Sequence, residues 1–399
     1  MAQTQGAEPS TSRMTLSIGP HHPATHGVLR VVLELEGEII AAAYPETGFL
    51  HTGIEKNAEF LLWQQANTVM DRMDYLNSIG NNCGYCLAVE KLLGITDRIP
   101  ERATVARVIL MELQRIASHL VFISTGGLDL GAITPFFWGF DLREQILDIF
   151  EETTGQRMNP SYIRVGGIAE DLPSNFKELV EKFLRETPKK MQELRDLILG
   201  NPIFLDRTKK IGVITYDKAI SLGLTGHNLR VTGTDYDVRK YYPYCGYENY
   251  DFKVPVYHNG DLFDRVAIRF DEIDESLKIV RQALANLPDG RYVIDDRKLV
   301  LPPKAEVKQS MEALIHHFKL VQQGFNVPAG EVYHAVESPR GELGFYVVSD
   351  GGNRPMRVRV RPPSFFATYA LTELLKGHFV SDMAGIIAGI DPVFGEVDR

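Results

Sequence analysis

Cysteine is rare in this sequence, with three residues among 399, and two of them, Cys83 and Cys86, lie together in the stretch NNCGYC. So few cysteines exclude a disulfide framework and point to a reducing compartment. The C-x-x-C pair could be a redox dithiol, half of a metal site or two small buried residues at the start of a helix. It lacks the preceding strand of a thioredoxin-like motif and lacks zinc partners at finger spacing, so the pattern alone favours burial.

Other features are also missing. A net charge of −9 offers no basic excess for nucleic acid, and neither G-x-G-x-x-G nor G-x-x-x-x-G-K-S/T occurs, so we expect no bound nucleotide. The most apolar stretch is interrupted by Glu112, Arg115 and His119, which predicts a helix inside the protein instead of a membrane span. The polar N-terminus has no signal-peptide pattern, and we predict a disordered arm over residues 1–13.

Hydrophobic patterning predicts an α+β fold built around a helical bundle. Residues 14–54 alternate as an antiparallel sheet with a turn at Glu36-Gly37, residues 55–200 are mainly helical, and residues 201–399 mix short strands, helices and a C-terminal tail. Within this last part, short strands are predicted among the loops of 209–226 and 229–266. Helices are predicted over 55–80 with a break, 85–93, 102–125, 142–154, 175–199, 270–287 and 308–323. A hairpin is predicted in GELGFYVVSDGG and MRVRVRPPS. We find no repeat, low-complexity segment or linker.

The loop GPHHPATHG holds three histidines, His21, His22 and His26, within six residues. Its prolines and glycines would fix a side chain on a rigid loop, and imidazole serves metals and proton transfer alike. No carboxylate or cysteine stands nearby at ligand spacing. The loop therefore predicts proton donation or hydrogen bonding to a ligand, with a purely structural role as the alternative.

Two further segments carry candidate polar residues. DRMDYLNS places Arg72, Asp74 and Tyr75 together, either as a site or as helix-surface charges beside a half-buried tyrosine. Asp129 ends an apolar stretch in TGGLDLGA, and if buried it needs a partner, for which histidine is suited. The tyrosines at 241, 242, 244, 247 and 250 fit either a core or a partner interface.

Read together, these segments are similar to one family over residues 14–399. The motifs are GPHHPATHGVLR, GFLHTGIEK, RMDYLNS, AVEKLLG, DLGAITPFFW, YIRVGG, YDVRKYYPY, SMEALIHHFK, GELGFYVVSDG and DPVFGEVDR. They resemble the 49 kDa, or D-type, subunit of respiratory complex I, the NADH–quinone oxidoreductase. This family is related to the large subunits of nickel–iron hydrogenases, so the resemblance implies a fold like theirs.

The hydrogenase relationship bears on the cysteines. Hydrogenases hold nickel and iron with thiolates from R-x-C-G-x-C, which NNCGYC resembles, and from a C-terminal D-P-C-x-x-C-x-x-H. Here Val393, Glu396 and Arg399 stand at the C-terminal ligand positions, and Glu90 matches a histidine that follows the first motif. Half of the soft thiolates are absent. The resemblance thus implies that Cys83 and Cys86 are a leftover half-site and that the chain holds no metal.

By the same resemblance, His26 and Tyr75 contact the head group of a quinone, ubiquinone or menaquinone, which is a substrate and is not covalently bound. Asp129 would pair with His26 and couple its protonation to proton pumping. Arg72 would lie beside the terminal 4Fe–4S cluster of a neighbouring subunit, because this chain has too few cysteines for its own cluster. FMN and the other clusters would belong to other subunits.

The implied partners are the subunit that carries the terminal cluster, a 30 kDa-type subunit and the membrane subunit at the quinone entrance. The implied place is the cytoplasmic side of a bacterial plasma membrane, as a peripheral protein. Two departures from the family pattern stand out. Asn159 replaces a frequent histidine near the cluster, and Thr52 replaces an arginine of mitochondrial relatives, which favours a bacterial protein.

Three alternatives stay open at this point. The chain could be a subunit of a related membrane-bound hydrogenase or a ferredoxin-linked complex, although the missing C-terminal cysteines argue against hydrogen chemistry. It could be a structural scaffold in such a complex. It could also belong to a close relative of complex I that takes electrons from another donor, since the donor module lies on other chains.

Overall fold

A computed structural model describes residues 13–399, so the predicted N-terminal arm lies outside the described residues except for Arg13. The described chain begins with an antiparallel sheet in the order β1 (Met14–Ile18), β2 (Arg30–Glu36) and β3 (Ile39–Glu46). Val31, Leu33 and Leu35 of β2 are buried at every second position, as the alternation predicts. The turn between β2 and β3 uses Gly37 at a φ of 67°.

Helices follow the sheet, and a short two-stranded ribbon interrupts them. They are α1 (Ile54–Phe60), α2 (Trp63–Met70), α3 (Ser78–Leu93), α4 (Glu101–Asp129), α5 (Ile133–Thr154), the ribbon β4 (Ile163–Arg164) and β5 (Gly167–Ile168), and α6 (Phe176–Leu199). Short 3-10 turns occur at Pro23–Thr25, Thr96–Arg98, Tyr247–Asn249 and Val380–Asp382. Helix α4 has the length and composition of a membrane span, yet it is packed on most sides by the protein itself.

Three predicted helix starts are wrong. The helix predicted over 270–287 begins at Leu262, where the side chain of Asp261 accepts the N–H of Asp264 and caps the helix. Helix α3 begins at Ser78 instead of Tyr85, because the polar residues of NSIGNN are hydrogen-bonded in the core, where tertiary contacts override their low helix propensity. Cys83 and Cys86 therefore lie inside the helix. Helix α5 begins at Ile133 instead of Leu142. Gly139 lets it approach α4, since a Cβ there would lie 1.9 Å from the hydroxyl oxygen of Ser124.

The rest of the chain contains helices around a second three-stranded sheet. The elements are α7 (Pro202–Thr208), α8 (Tyr216–Ser221), α9 (His227–Arg230), α10 (Val238–Tyr241), α11 (Leu262–Ala285), α12 (Lys304–Val307), α13 (Met311–Gln323), β6 (Gly330–Ser338), β7 (Gly341–Ser349), β8 (Arg357–Arg361), α14 (Pro363–Tyr369), α15 (Leu371–Leu374), α16 (Met383–Gly389) and α17 (Phe394–Asp398). The predicted hairpin is β7–β8. The short strands predicted between residues 209 and 265 are wrong, because the described backbone there forms short helices and turns; Asp237, for example, caps α10.

The α+β class is confirmed, and its parts meet in two cores. The larger core joins α2–α6, α11 and the β6–β7–β8 sheet, and Gly84 of α3 lets β7 approach so closely that a Cβ would lie 2.5 Å from Phe345. The smaller core joins β2 and β3 to the C-terminal helices α15–α17. Of the five tyrosines between residues 241 and 250, Tyr244, Tyr247 and Tyr250 are buried in the larger core, whereas Tyr241 and Tyr242 are exposed.

Candidate functional site

The histidine loop is a closed turn that presents His26. The ring Nδ1 of His22 accepts the backbone N–H of Ala24 at 3.1 Å, and the N–H of His26 donates to the carbonyl of Pro23 at 3.1 Å. His26 itself adopts the left-handed region at a φ of 56°, and the turn packs on α16. His22 is thus used to build the turn, whereas the ring of His26 has accessible surface and meets the edge of Phe394 at 6.0 Å between centroids.

Tyr75 stands on the turn between α2 and α3. The preceding residue, Asp74, is fully buried, and its carboxylate accepts the N–H of Leu76 at 3.0 Å. Its carbonyl accepts the N–H of Asn77 at 2.9 Å and the side-chain amide of Asn81 at 3.1 Å. These bonds make a rigid turn, from which the Tyr75 side chain projects with 39% of its surface exposed.

Beneath both residues lies a buried ionic group centred on Arg340. Its guanidinium donates to the carboxylate of Asp74 at 2.8 Å, to the hydroxyl of Ser118 at 3.1 Å and to the carbonyl of Asp391 at 3.2 Å. The charges of Arg340 and Asp391 act on the pKa of His26 and on the pKa of Tyr75. The structure therefore brings the histidine loop and the tyrosine turn to one shared pair of charges.

His26 and Asp129 act on each other's pKa, and burial shifts the pKa of all three predicted site residues. Burial lowers the pKa of His26, and the negative charges of Asp129 and then Asp391 partly oppose this shift. Burial raises the pKa of Asp129, against the effect of His26, and burial followed by the charge of Asp74 raises the pKa of Tyr75. All three side chains nevertheless keep accessible surface. Each of the three therefore lies at a partly enclosed position of the surface.

The ionic group continues into the interior, which the sequence did not reveal. Asp391 accepts from Arg269 at 2.9 Å, and Arg269 contacts His227 at 2.8 Å. His119 contacts Arg269 at 3.3 Å and Glu272 at 2.8 Å. Burial lowers the pKa of His119 to about 4, so its ring is neutral near pH 7. Glu272 then pairs with Arg230 at 2.5 Å, and Arg230 with Glu337 at 2.8 Å.

Glu396 lies buried beside the same group. One carboxylate oxygen accepts the N–H of Ser364 at 3.0 Å, and the other has no hydrogen-bond partner among residues 13–399. Burial, followed by the charge of Asp74, raises the pKa of Glu396 to about 8. The carboxyl is therefore largely neutral at pH 7. The charged residues that act on Glu396 in the DPVFGE segment are thus Asp74 and Arg340.

Arg72, three residues before Tyr75, is exposed, and its guanidinium hydrogen-bonds the carbonyl of Thr68. Its neighbour Asp71 is buried and accepts from the backbone N–H and hydroxyl of Ser161 at 2.9 and 2.7 Å. Asn159, two residues earlier, has a φ of 54°. Burial raises the pKa of Asp71 to about 6. The Arg72 and Asn159 segments are therefore neighbours, joined through Asp71.

The cysteines lie in other surroundings. The thiol of Cys86 contacts the side-chain oxygen of Asn67 at 3.7 Å, and that of Cys83 lies 3.9 Å from the sulfur of Cys245. The interpretation of Cys83 and Cys86 as a leftover half-site stays a prediction. Within the described part of the chain, no three His, Cys, Asp or Glu side chains are grouped so that they could hold a metal ion.

Two surface features complete the site. Near Asp129 in sequence, at the end of α4 and the start of α5, four apolar side chains are exposed: Leu128, Ile133, Phe137 and Trp138. A separate cavity of about 360 Å³ lies between α2 and α13 and is lined mainly by apolar side chains. None of His26, Tyr75 and Asp129 lines that cavity.

Comparison with known proteins adds to this geometry. A family described as "Respiratory-chain NADH dehydrogenase, 49 Kd subunit" matches residues 129–399. A protein of Symbiobacterium thermophilum, named as a D-type subunit of NADH-quinone oxidoreductase, is 74% identical over 394 residues, 98% of each chain. A Thermus thermophilus protein with the same type of name is 51% identical over 99% of this chain and 96% of its own length.

Proposed function

This chain belongs to the family of the 49 kDa subunit of respiratory-chain NADH dehydrogenase, and we propose that its His26 and Tyr75 bind and protonate the quinone head group. The family makes the chain a subunit of an NADH–quinone oxidoreductase complex with other subunits as partners. The observation that supports the assignment is that the same two charges, Arg340 and Asp391, act on the pKa of both side chains, which are both accessible.

The reaction defines which groups a quinone site must supply. Two electrons and two protons convert the two carbonyl oxygens of a quinone into the two hydroxyls of a quinol. Negative charge develops on both oxygens as electrons arrive, so two hydrogen-bond donors that can release protons are required. An imidazolium and a phenol meet this need, and they project here from separate elements, the loop before β2 and the turn before α3.

Asp129 is assigned to keep His26 protonated and oriented. A carboxylate near an imidazole favours the imidazolium form, which opposes the loss of charge caused by burial. When the proton passes to quinone, the balance between His26 and Asp129 changes. We infer that this change starts the coupling to proton translocation. Asp391 and the buried groups behind it provide a charged path into the protein.

Electrons are assigned to the terminal 4Fe–4S cluster of a neighbouring subunit, beside Arg72. An exposed guanidinium next to the tyrosine turn would stabilise the added negative charge of a reduced cluster. The exposed apolar side chains near Asp129 suit the isoprenoid tail of the quinone and the membrane subunit at the quinone entrance. The 30 kDa-type subunit is a further assigned partner, and the assigned place is peripheral, on the cytoplasmic side of the plasma membrane.

Hydrogen chemistry is the main alternative, through the relationship to nickel–iron hydrogenases. A dinuclear centre needs four soft ligands, and Val393 supplies no ligand atom. Glu396, at the second C-terminal position, is a hard oxygen ligand with a raised pKa. The donor set fits quinone protonation better than metal binding.

The test is NADH–quinone reductase activity of membranes carrying Tyr75→Phe, with complex assembly and reduction of the terminal cluster checked on the same sample. We expect inhibitor-sensitive activity to fall by at least tenfold while the cluster is still reduced, because general acid–base catalysis contributes about 10²–10⁴-fold. Tyr346→Phe, which removes a hydroxyl from the surface hairpin, is the matched control. Unchanged activity in Tyr75→Phe would remove Tyr75 from the reaction.

A further inference from the structure

The three cysteines of the chain converge in the fold. Cys83 lies in α3 and Cys245 in the turn after α10, 162 residues later, and their sulfur atoms are 3.9 Å apart. Cys86 follows Cys83 by one turn of the same helix. In a protein with so few cysteines, this contact between two residues far apart in the chain lies outside the residues of the proposed quinone site.

The two sulfur atoms of the pair have different surroundings. Cys83 is fully buried, whereas Cys245 keeps part of its surface accessible. Cys245 also has a φ of 49°, an uncommon conformation for a residue with a side chain, and Gly246 follows in the same region. Cys245 is therefore the residue of the pair nearer the surface, and Cys83 is the interior one.

The charges around the pair favour a thiolate on the outer residue. The contact between the two sulfur atoms, in which either thiol could be the donor, lowers the pKa of Cys245 and raises that of Cys83. The positive charge of Arg107 also lowers the pKa of Cys245. Arg107 is held in place by Glu90 at 2.7 and 3.0 Å. Reactive cysteines occur in such electropositive, partly exposed surroundings.

We propose that Cys245 and Cys83 form a dithiol that hydroperoxides oxidise to a disulfide, with Cys245 as the attacking residue and Cys83 as the resolving residue. The Cys245 thiolate attacks one oxygen of the hydroperoxide, the O–O bond breaks, and water or an alcohol leaves once protonated. This leaves a sulfenic acid on Cys245. The Cys83 sulfur then attacks the Cys245 sulfur, a disulfide forms and water leaves with the thiol proton. The hydroperoxide gains the two electrons that the thiols lose.

Cys86 supplies the internal control. Its thiol is fully buried and contacts the oxygens of Asn67 and Ile163, at 3.7 and 3.6 Å. Burial raises its pKa well above the usual value. A buried thiol with a raised pKa is inert toward peroxides. We therefore expect oxidation to join Cys83 to Cys245, whose sulfur atoms are in contact, and to leave Cys86 reduced.

The experiment treats the purified complex with hydrogen peroxide, blocks the remaining thiols by alkylation and identifies peptides by mass spectrometry. We expect a cross-linked Cys83–Cys245 peptide that a reducing agent cleaves, and the same peptide in Cys86→Ser. In Cys83→Ser, a 1,3-diketone probe should trap the sulfenic acid on Cys245, and Cys245→Ser should leave Cys83 unmodified. Assembly of the complex is measured for each variant as a check on folding.

Three results would overturn the proposal. The first is complete alkylation of Cys83 and Cys245 after peroxide treatment, at doses that oxidise Cys245 in the denatured chain. The second is a cross-link between Cys83 and Cys86. The third is oxidation of Cys245 to the sulfinic acid with no bond to Cys83. The readout is the modification itself, so it does not depend on the quinone assignment.

Discussion

The Arg340 guanidinium and the Asp74 carboxylate form a buried ion pair with 2.8 Å between nitrogen and oxygen, although the residues are 266 positions apart. Arg340 also donates to the carbonyl of Asp391, so it links the turn that carries Tyr75 to the segment that contains Asp391. The proposed quinone site therefore depends on an arginine whose own side chain is buried.

Replacing Arg340 should destabilise the protein and impair the site together. Arg340→Gln leaves Asp74 and Asp391 without their shared cation, and the loss of one partner from a buried ionic group costs about 3–5 kcal/mol. Arg340→Lys should be intermediate, because lysine keeps the charge without the planar fork. Thermal unfolding and quinone reductase activity measure both effects. Arg357→Gln, at an exposed pair with Glu59, should change stability by about 0–1 kcal/mol. An equal loss in both variants would contradict the central role of Arg340.

The pH dependence of activity should report the His26–Asp129 interaction. His26 is faced by Asp129 and Asp391, which raise its pKa, and by Arg340, which lowers it. Asp129→Asn removes the larger raising influence, so His26 loses its proton at a lower pH. The alkaline limb of the quinone reductase pH profile should then shift to lower pH. Asp129→Glu, which keeps the charge, serves as the control, and a profile that does not move in Asp129→Asn would disprove the pairing.

Glu396→Gln should stabilise the protein at pH 8. The folded state raises the pKa of Glu396 from its ordinary 4.5 to about 8, so the stability contributed by the neutral carboxyl is full below pH 4.5 and is lost as the pH rises to about 8. Gln stays neutral throughout. We expect a gain of about 1–3 kcal/mol at pH 8, shrinking toward pH 5. Thermal unfolding at both pH values measures it, with the exposed Glu181→Gln as the control. A variant that is less stable at pH 8 would refute this prediction.

The terminal cluster should have a potential that varies little with pH above pH 7. Asn159 does not titrate, and the pKa of the nearby Asp71 is about 6, so neither changes charge between pH 7 and 8.5. Such a cluster with a low potential would suit menaquinone. Asn159→His should introduce a slope approaching about 59 mV per pH unit, since histidine tolerates the left-handed backbone there. Redox titrations at both pH values decide, and a steep slope in the unsubstituted complex would contradict the prediction.

The sequence alone predicted the α+β class, the N-terminal sheet and the hairpin β7–β8, because period-2 and period-3.6 patterns are local signals. It also named His26, Tyr75 and Asp129, through a family resemblance. It missed the polar first turn of α3, where side-chain amides that disfavour helix in isolation are satisfied by the core. It could not find Arg340 or Arg269, because single arginines far apart in sequence carry no local pattern. The same limit hid the contact between Cys83 and Cys245.

The long sequence separations within the fold also bear on how fast it forms. The Asp398 carboxylate accepts the N–H groups of Gly48 and Leu50 at 2.8 and 2.7 Å, across 350 and 348 residues. Closing such loops costs chain entropy before any contact compensates it, so these bonds form late on the folding pathway. Substitutions in this region should therefore accelerate unfolding and leave the refolding rate nearly unchanged. The lifetime of the contact between Asp398 and the 48–50 segment is therefore a kinetic property, set by the height of the unfolding barrier.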